Sequence, residues 1–318
     1  MGVAIQIRGL KKSYGSNEAV RGIDLSVNEG QVFAFLGPNG AGKTTTVEIL
    51  EGYRERTEGD VEVLGVDPRD GDQRWRERIG IVLQECRMEP LLSVRETLDL
   101  YAGYYEAPRD VDETIALVGL EGKADARAGK LSGGQQRRLD VALALVGDAE
   151  LLFLDEPTTG FDPSARRQAW EVIASLRELG KTVFLTTHYM DEAQFLADRV
   201  AIIRDGRIVA EGAPNELGGR AERASTIRFL LPPGVSVDDL PRGVGRVESE
   251  LRGAGVAVST SDPVATLNSL TGWALERGVG LSGLEVTRPT LEEMYLELTE
   301  DVLASPSGAR PSHEGDPQ

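Results

Sequence analysis

Apolar and polar positions change rhythm several times along this chain. Ala4–Ile7 alternates, Ile23–Val27 forms a second short run, and Val32–Leu36 is continuously apolar, as a buried strand requires. A glycine-rich loop follows, and then the spacing predicts a helix over Thr44–Leu50. Val61–Val63 and Ile79–Leu83 read as strands, and Val94 to about Val146 is mainly helical. Leu151–Leu154 is a second buried strand, Ser164–Leu179 a helix, Val183–Thr186 a strand and Met190–Leu196 a helix. Val200–Ile203 and Arg207–Glu211 predict a hairpin turning at Asp205-Gly206. Strands alternating with helices imply an α/β domain with a largely parallel sheet.

Gly218-Gly219 marks a boundary in this pattern. Beyond it come a strand over Thr226–Leu231, a hairpin of Arg246–Leu251 and Val256–Ser259, a helix over Asp262–Arg277, a strand over Leu284–Val286 and a helix over Leu291–Leu298. The expected organisation is a large α/β domain over residues 1–220, with a helical subdomain at about 85–147. A small α+β domain over 221–303 and a disordered tail over 304–318, rich in Ser, Pro and Gly, follow. Internal repeats and coiled-coil heptads are absent from the pattern.

Composition narrows the function classes. Of 318 residues, 40% are hydrophobic, enough for a core, and the formal net charge is −17. That acidity argues against a general nucleic-acid binder, which needs basic surface to neutralise phosphates. The one cysteine, Cys86, rules out an intrachain disulfide. No stretch approaches the roughly 20 apolar residues that span a bilayer, and Met1–Lys12 lacks the features of a secretory signal. A membrane role is therefore expected to be that of a peripheral subunit.

The first candidate chemistry is Gly37-Pro38-Asn39-Gly40-Ala41-Gly42-Lys43-Thr44, which fits the phosphate-loop pattern. Its glycines let successive N–H groups point at phosphate oxygens, and the helix that follows adds its positive dipole end. Lys43 is placed to reach the β- and γ-phosphates of a bound nucleotide and the Thr44 hydroxyl to ligate Mg²⁺. A chance glycine-rich turn is the alternative, disfavoured by the position between a buried strand and a helix. The second candidate is the apolar strand Leu151–Leu154, which ends in Asp155-Glu156. Asp155 is placed to face the same metal, and Glu156, pointing elsewhere, to act as general base towards a water. A solvated acidic pair is the alternative there.

Leu131-Ser132-Gly133-Gly134-Gln135 is the most informative pentapeptide. With it the chain resembles the ABC ATPase family over about residues 3–217. Six motifs stand in the family's order: Tyr14, the phosphate loop, Gln84, the pentapeptide, the Asp155-Glu156 strand end, and His188. The resemblance implies that adenine stacks on Tyr14 and that residues Gly37–Thr45, Thr45 included, cradle the phosphates. It makes Gln84 a ligand near Mg²⁺ and the lytic water, and the start of a loop that senses a membrane subunit. It makes His188 the switch histidine that contacts the γ-phosphate and helps orient Glu156. Gly160-Phe161-Asp162 matches the loop that crosses to the other monomer, with Phe at a position often aliphatic in the family. The resemblance further implies that Ser132, Gly133, Gly134 and Gln135 cap the γ-phosphate held by the opposite monomer, so that ATP joins a head-to-tail homodimer.

The accessory segment Arg288–Leu296 resembles the Pro-Thr-Leu-Glu-Asp-Val-Phe-Leu type motif of daunorubicin-resistance export ATPases, and Thr187–Ala193 is typical of that branch. Thr290–Leu298 also reads as an ordinary capped amphipathic helix. The resemblance implies the ATP-hydrolysing subunit of an exporter of a drug, antibiotic or other hydrophobic molecule, lying at the cytoplasmic face of the membrane. It further implies a separate multi-helix permease, contacted through Arg87–Leu92, and a C-terminal domain that aids assembly. Export of an ion, lipid or polysaccharide, and a soluble non-transport ABC ATPase, are the alternatives.

Overall fold

β1 (Val3–Tyr14) and β2 (Asn17–Asn28) pair antiparallel and run well beyond the alternating stretches that announce them. The reason is a bulge. Ile5 and Ile7 are buried, and so is Leu10, so the inward parity changes between Ile7 and Leu10, where the register shifts. Gly9, with φ 57°, supplies the left-handed residue such a bulge needs. A computed structural model gives this architecture for residues 2–83, 88–217, 225–249 and 255–287, together with Leu291, Glu293 and Tyr295. The chain divides into two units, Met1–Gly218 and Gly219–Gln318.

In the first unit β3 (Val32–Leu36) is followed by α1 (Lys43–Leu50) and β4 (Glu58–Val63). β4 joins the first pair in a three-stranded antiparallel sheet, order β2-β1-β4, which the periodicity did not separate from the main sheet. α2 (Gln73–Glu77) was not predicted. Asp72 caps it, and its Trp75 is buried and donates its indole N–H to Val63 O at 2.8 Å. β5 (Ile79–Val82) leads to the expected helical stretch, which is broken into α3 (Val94–Ala102), α4 (Val111–Leu117) and α5 (Gly133–Leu145). Ser93 and Glu96 form a capping box at the start of α3. Then come β6 (Leu151–Asp155), α6 (Pro163–Glu178), β7 (Thr182–Thr187), α7 (Met190–Leu196), β8 (Arg199–Arg204) and β9 (Arg207–Gly212).

The main sheet has the order β5-β6-β7-β3-β8-β9, parallel except for the final hairpin. This is the expected α/β fold with a largely parallel sheet. The hairpin turns at Asp205 and Gly206, both with positive φ, as a two-residue turn demands. Register decides the rest. Leu36 pairs with Thr187 and Asp155 with Thr186, so the carboxyl ends of β3, β7 and β6 stand level. Ligands of open α/β sheets bind beyond such strand ends. Among the described residues, no helix is long and apolar enough to cross a membrane.

In the second unit β10 (Ser225–Leu230), β11 (Arg246–Ser249), β12 (Gly255–Thr260) and β13 (Ser282–Thr287) form an antiparallel sheet of order β11-β12-β10-β13. α8 (Pro263–Arg277), capped by Asp262, contributes Leu270 to a core with Ile227, Phe229, Val256 and Val258. Of the predicted helix Leu291–Leu298 only Leu291, Glu293 and Tyr295 belong to the described residues, and Leu291 is buried. The tail lies outside them.

At the centre of the first unit Phe184 is paired in register with Phe33 on one side and Phe153 on the other. Its ring lies 5.5 Å from Phe33 and 5.8 Å from Phe153, and all three are fully buried. Phe184→Ala should cost about 3–5 kcal/mol. A thermal melt followed by circular dichroism checks this; an unchanged Tm would show that the ladder is not what holds these strands level.

Candidate functional site: a phosphate-loop cleft

The loop after β3 must curl tightly between the sheet and β2. A Cβ on Gly37 would lie 2.3 Å from Ile203 O, and one on Gly42, whose φ is 107°, would lie 2.6 Å from Ala19 O. Only glycine fits at either place. Ala41 is buried beneath the loop, which is tied down by Ala41 N–H to Pro38 O and Gly206 N–H to Ala41 O. Lys43 opens α1 and is only 5% exposed. Its ammonium donates to Gly37 O at 2.7 Å and Pro38 O at 3.4 Å and lies 3.6 Å from Glu156 Oε1. A buried cation is thus held by carbonyls and one carboxylate, facing the same cleft.

That cleft has a volume of about 450 Å³. It is lined by Tyr14, Pro38, Asn39, Gly40, Gly42, Lys43, Thr44, Thr45, Asp155 and Glu156, so most of the residues singled out in the sequence meet there. Asn17 and Ala19 of β2 line it as well and carry no motif; β1–β2 pairing alone brings them. Tyr14 is 42% exposed, with Lys12 Nζ 5.0 Å and the Arg54 guanidinium 5.3 Å from its ring centre.

Asp155 Oδ1 accepts from the Thr186 hydroxyl. Glu156 follows with φ 45°, a conformation that costs a residue bearing a Cβ on the order of 1–2 kcal/mol. Its N–H is taken by Thr186 O at 3.2 Å and Thr186 Oγ1 at 3.0 Å, and its Oε2 accepts from Thr159 Oγ1 at 3.1 Å. The other oxygen, Oε1, lies between Lys43 Nζ and His188 Nδ1, the latter 3.4 Å away. Thr186 and Thr159 carried no motif signal; the level ends of β6 and β7 bring Thr186 to Asp155 and Glu156, and the turn after β6 folds Thr159 back onto Glu156. Among the described residues no group of three or more His, Cys, Asp or Glu could hold a metal by itself. A hydroxyl and one carboxylate, Thr44 and Asp155, are hard oxygen donors that both line the cleft and fit a Mg²⁺ ion otherwise held by phosphate and water.

Ser132–Gln135 and Asp162 do not line this cleft. Ser132 caps α5 with a capping box: its Oγ accepts from Gln135 N–H at 3.3 Å, and Gln135 Oε1 accepts from Ser132 N–H. Ser132 and Gly133 are exposed, presenting the positive end of a 13-residue helix to solvent. Asp162 caps α6 through Ser164 and Ala165 N–H. Gln84, Cys86 and Arg87 lie outside the described residues.

A larger cavity, about 650 Å³, shares no lining residue with this cleft. Met88, half-buried, lines it with Glu51, Trp75, Tyr101, Tyr105 and Asp140. Leu91 is exposed and Leu92 half-buried, so neither is a core residue. Burial pushes the Glu51 carboxyl up to about 8, and the charges of Asp155 and Glu48 add in the same direction.

Comparison with known proteins bears on both units. The ABC transporter family profile matches residues 20–159, and that of the ABC transporter domain-containing protein-like C-terminal domain matches residues 225–290. The chain is 38% identical over 301 residues to a Nod factor export ATP-binding protein I of Burkholderia orbicola, covering 93% of this chain and 96% of that protein. It is 40% identical over 303 residues to the protein of the same name from Rhizobium sp. (strain N33), covering 93% and 97%. Among solved structures, cbiO1 of Clostridium perfringens, part of the ABC transporter complex cbiONQ, superposes with a TM-score of 0.62 at 29% identity, over 68% of this chain and 90% of that one. The dimeric ATP-binding cassette MJ0796 bound to ADP and Pi gives a TM-score of 0.58 at 28% identity, over 66% and 98%.

Glu51 provides a test of the electrostatics. Its folded value lies above the 4.5 of a free side chain, so folding favours the protonated form. The burden of burying the carboxylate is absent below about pH 4.5, grows as the pH rises and is complete above about 8. Glu51→Gln should therefore melt several degrees above wild type at pH 8.5, on the order of 2 kcal/mol, with the difference shrinking towards pH 5. A melting difference independent of pH would show that Glu51 is ionised alike in both states.

Proposed function

Since the chain belongs to the ABC transporter family as an ATP-hydrolysing subunit, we propose that it powers export of a solute through a separate multi-helix membrane subunit, docked at the cytoplasmic face of the membrane. The observation that carries this reading is the match, across nearly their whole length, to relatives named for Nod factor export. Those names favour a Nod factor-type cargo over the drug or antibiotic implied by the daunorubicin-type resemblance, and they favour transport over a soluble non-transport role.

In this reading adenine stacks on Tyr14, and the N–H groups of residues 40–45 and the Lys43 ammonium hold the phosphates. Thr44, Asp155 and, from the resemblance, Gln84 are the metal's protein ligands. Mg²⁺, when bound, neutralises phosphate charge. Glu156 takes the proton of the attacking water, and His188, 3.4 Å from its Oε1, orients it and meets the γ-phosphate. The exposed start of α5, Ser132 to Gln135, caps the γ-phosphate in the cleft of a second copy, and Asp162 lies on the loop that faces that copy. That the cassette at 28% identity is dimeric supports the pairing of two copies. The cavity beside Met88, with its tyrosines, suits an apolar helix of the membrane subunit.

Glu156→Gln should lower phosphate release about 10²–10⁴-fold, leave ATP binding intact and accumulate an ATP-bound dimer. Lys43→Ala should act earlier, losing nucleotide affinity and the ATP-dependent dimer. Phosphate release and light scattering check both. Wild-type turnover by Glu156→Gln would remove it as the base, and a normal ATP-dependent dimer of Lys43→Ala would end the phosphate-loop assignment.

Affinity capture of the full-length chain from its native membranes should retrieve one multi-helix membrane protein. Soluble partners alone would favour the non-transport reading.

A further inference from the structure

Asp155 and Pro157 flank Glu156, and one guanidinium takes both of their carbonyls. Arg137 Nη2 donates to Asp155 O at 3.0 Å and its Nε donates to Pro157 O at 3.0 Å. Its Nη1 donates to Leu83 O, at the end of β5. The residue is 6% exposed, and Asp140, one turn further along α5, lies 3.6 Å from Nη1 and balances its charge. A guanidinium is planar and presents its donors in a fixed fork, so two carbonyls bound to it are fixed in relative orientation. The residue between them is Glu156, whose φ of 45° is a region side chains other than glycine's avoid. A residue in such a conformation keeps it only where its surroundings over-determine it. Downstream, Thr158 Oγ1 donates to the buried Glu192 at 2.7 Å, so the turn is tied on that side as well.

We infer that Arg137 is a positioning residue for hydrolysis, holding the turn whose left-handed residue aims the Glu156 carboxylate into the cleft. The inference rests on the reading of Glu156 as the base. Arg137 sits on the helix that Ser132 caps, so the placement of that helix and the aim of Glu156 are joined through one buried, hydrogen-bonded guanidinium. Arg137 touches neither the cleft nor a reacting atom; it acts through the backbone of residues 155 and 157.

The test uses the full-length chain with Mg-ATP and the variants Arg137→Met and Arg137→Lys, each alone and combined with Glu156→Gln. Misplacement of a reacting group by about 1 Å costs up to about 100-fold. Arg137→Met should therefore lower kcat about 10–100-fold while KM and the affinity for ATP stay within about twofold. Arg137→Lys, which keeps the charge opposite Asp140 but cannot span both carbonyls, should fall between it and wild type. In the Glu156→Gln background either change should alter the residual rate by less than about twofold, because the group being aimed is already gone. Parallel loss of ATP affinity, or the same loss of rate with and without Glu156, would overturn the inference. Should Arg137→Met fail to fold by circular dichroism, Arg137→Lys decides on the same two readouts. Glu156→Gln alone tests the base. If it is active the base assignment falls and this inference with it, whereas an inactive Glu156→Gln with additive Arg137 effects removes only the role of Arg137.

Discussion

Parallel pairing of β6, β7 and β3 sets three strand ends at one level, and everything in the cleft depends on that alignment. Asp155 stands opposite Thr186 and Leu36 opposite Thr187. The phosphate loop, the acidic pair and His188 therefore leave the sheet side by side. The register is held from below by Phe153, Phe184 and Phe33, three rings on neighbouring strands in a closed core. A slip of one residue would turn each strand's side chains to the other face and separate the groups at the top.

Charge explains why these groups tolerate one another. Lys43 is almost fully buried, yet two carbonyls and the Glu156 carboxylate surround its ammonium. Glu156 in turn has Lys43 and His188 on one oxygen and Thr159 on the other. Neither charge is left alone, which is the condition for burying either. Glu51, among the described residues, has no comparable partner and is pushed towards its neutral form. The site thus holds its working charges by pairing them. The neighbouring cavity holds a carboxyl whose burial weakens the fold as the pH rises.

The starts of α5 and α6 are capped by two residues that line no part of the cleft. Ser132 and Asp162 satisfy the first turns of their helices, which is a structural task in itself. They leave Ser132 and Gly133 exposed, and neither lines this chain's own cleft. An exposed helix start that lines no part of its own chain's cleft is compatible with the proposed pairing of two copies.

Much of this was legible in the sequence because its signals are local. The phosphate-loop spacing marks glycines 37 and 42 from the sequence alone, although the atoms that crowd them, Ile203 O and Ala19 O, come from distant strands, and Val32–Leu36 and Leu151–Leu154 announce buried strands by composition alone. The Asp205-Gly206 turn, the helix Met190–Leu196 and the residues of the phosphate loop follow from the same short-range chemistry. The bulge at Gly9 and the separate β2-β1-β4 sheet escaped, since a parity change across a bulge erases the alternation that reveals a strand. Asn17 and Thr186 escaped for another reason: their roles come from strand pairing. Arg137 is the clearest case. In sequence it is an arginine in a helix; only tertiary structure lays it against carbonyls 18, 20 and 54 residues away. Hydrogen bonds to backbone carbonyls place no demand on the identity of the residues that supply them, so the sequence by itself determined the fold class and named the candidate groups, and the packing of α5 against the sheet decided what holds them in place.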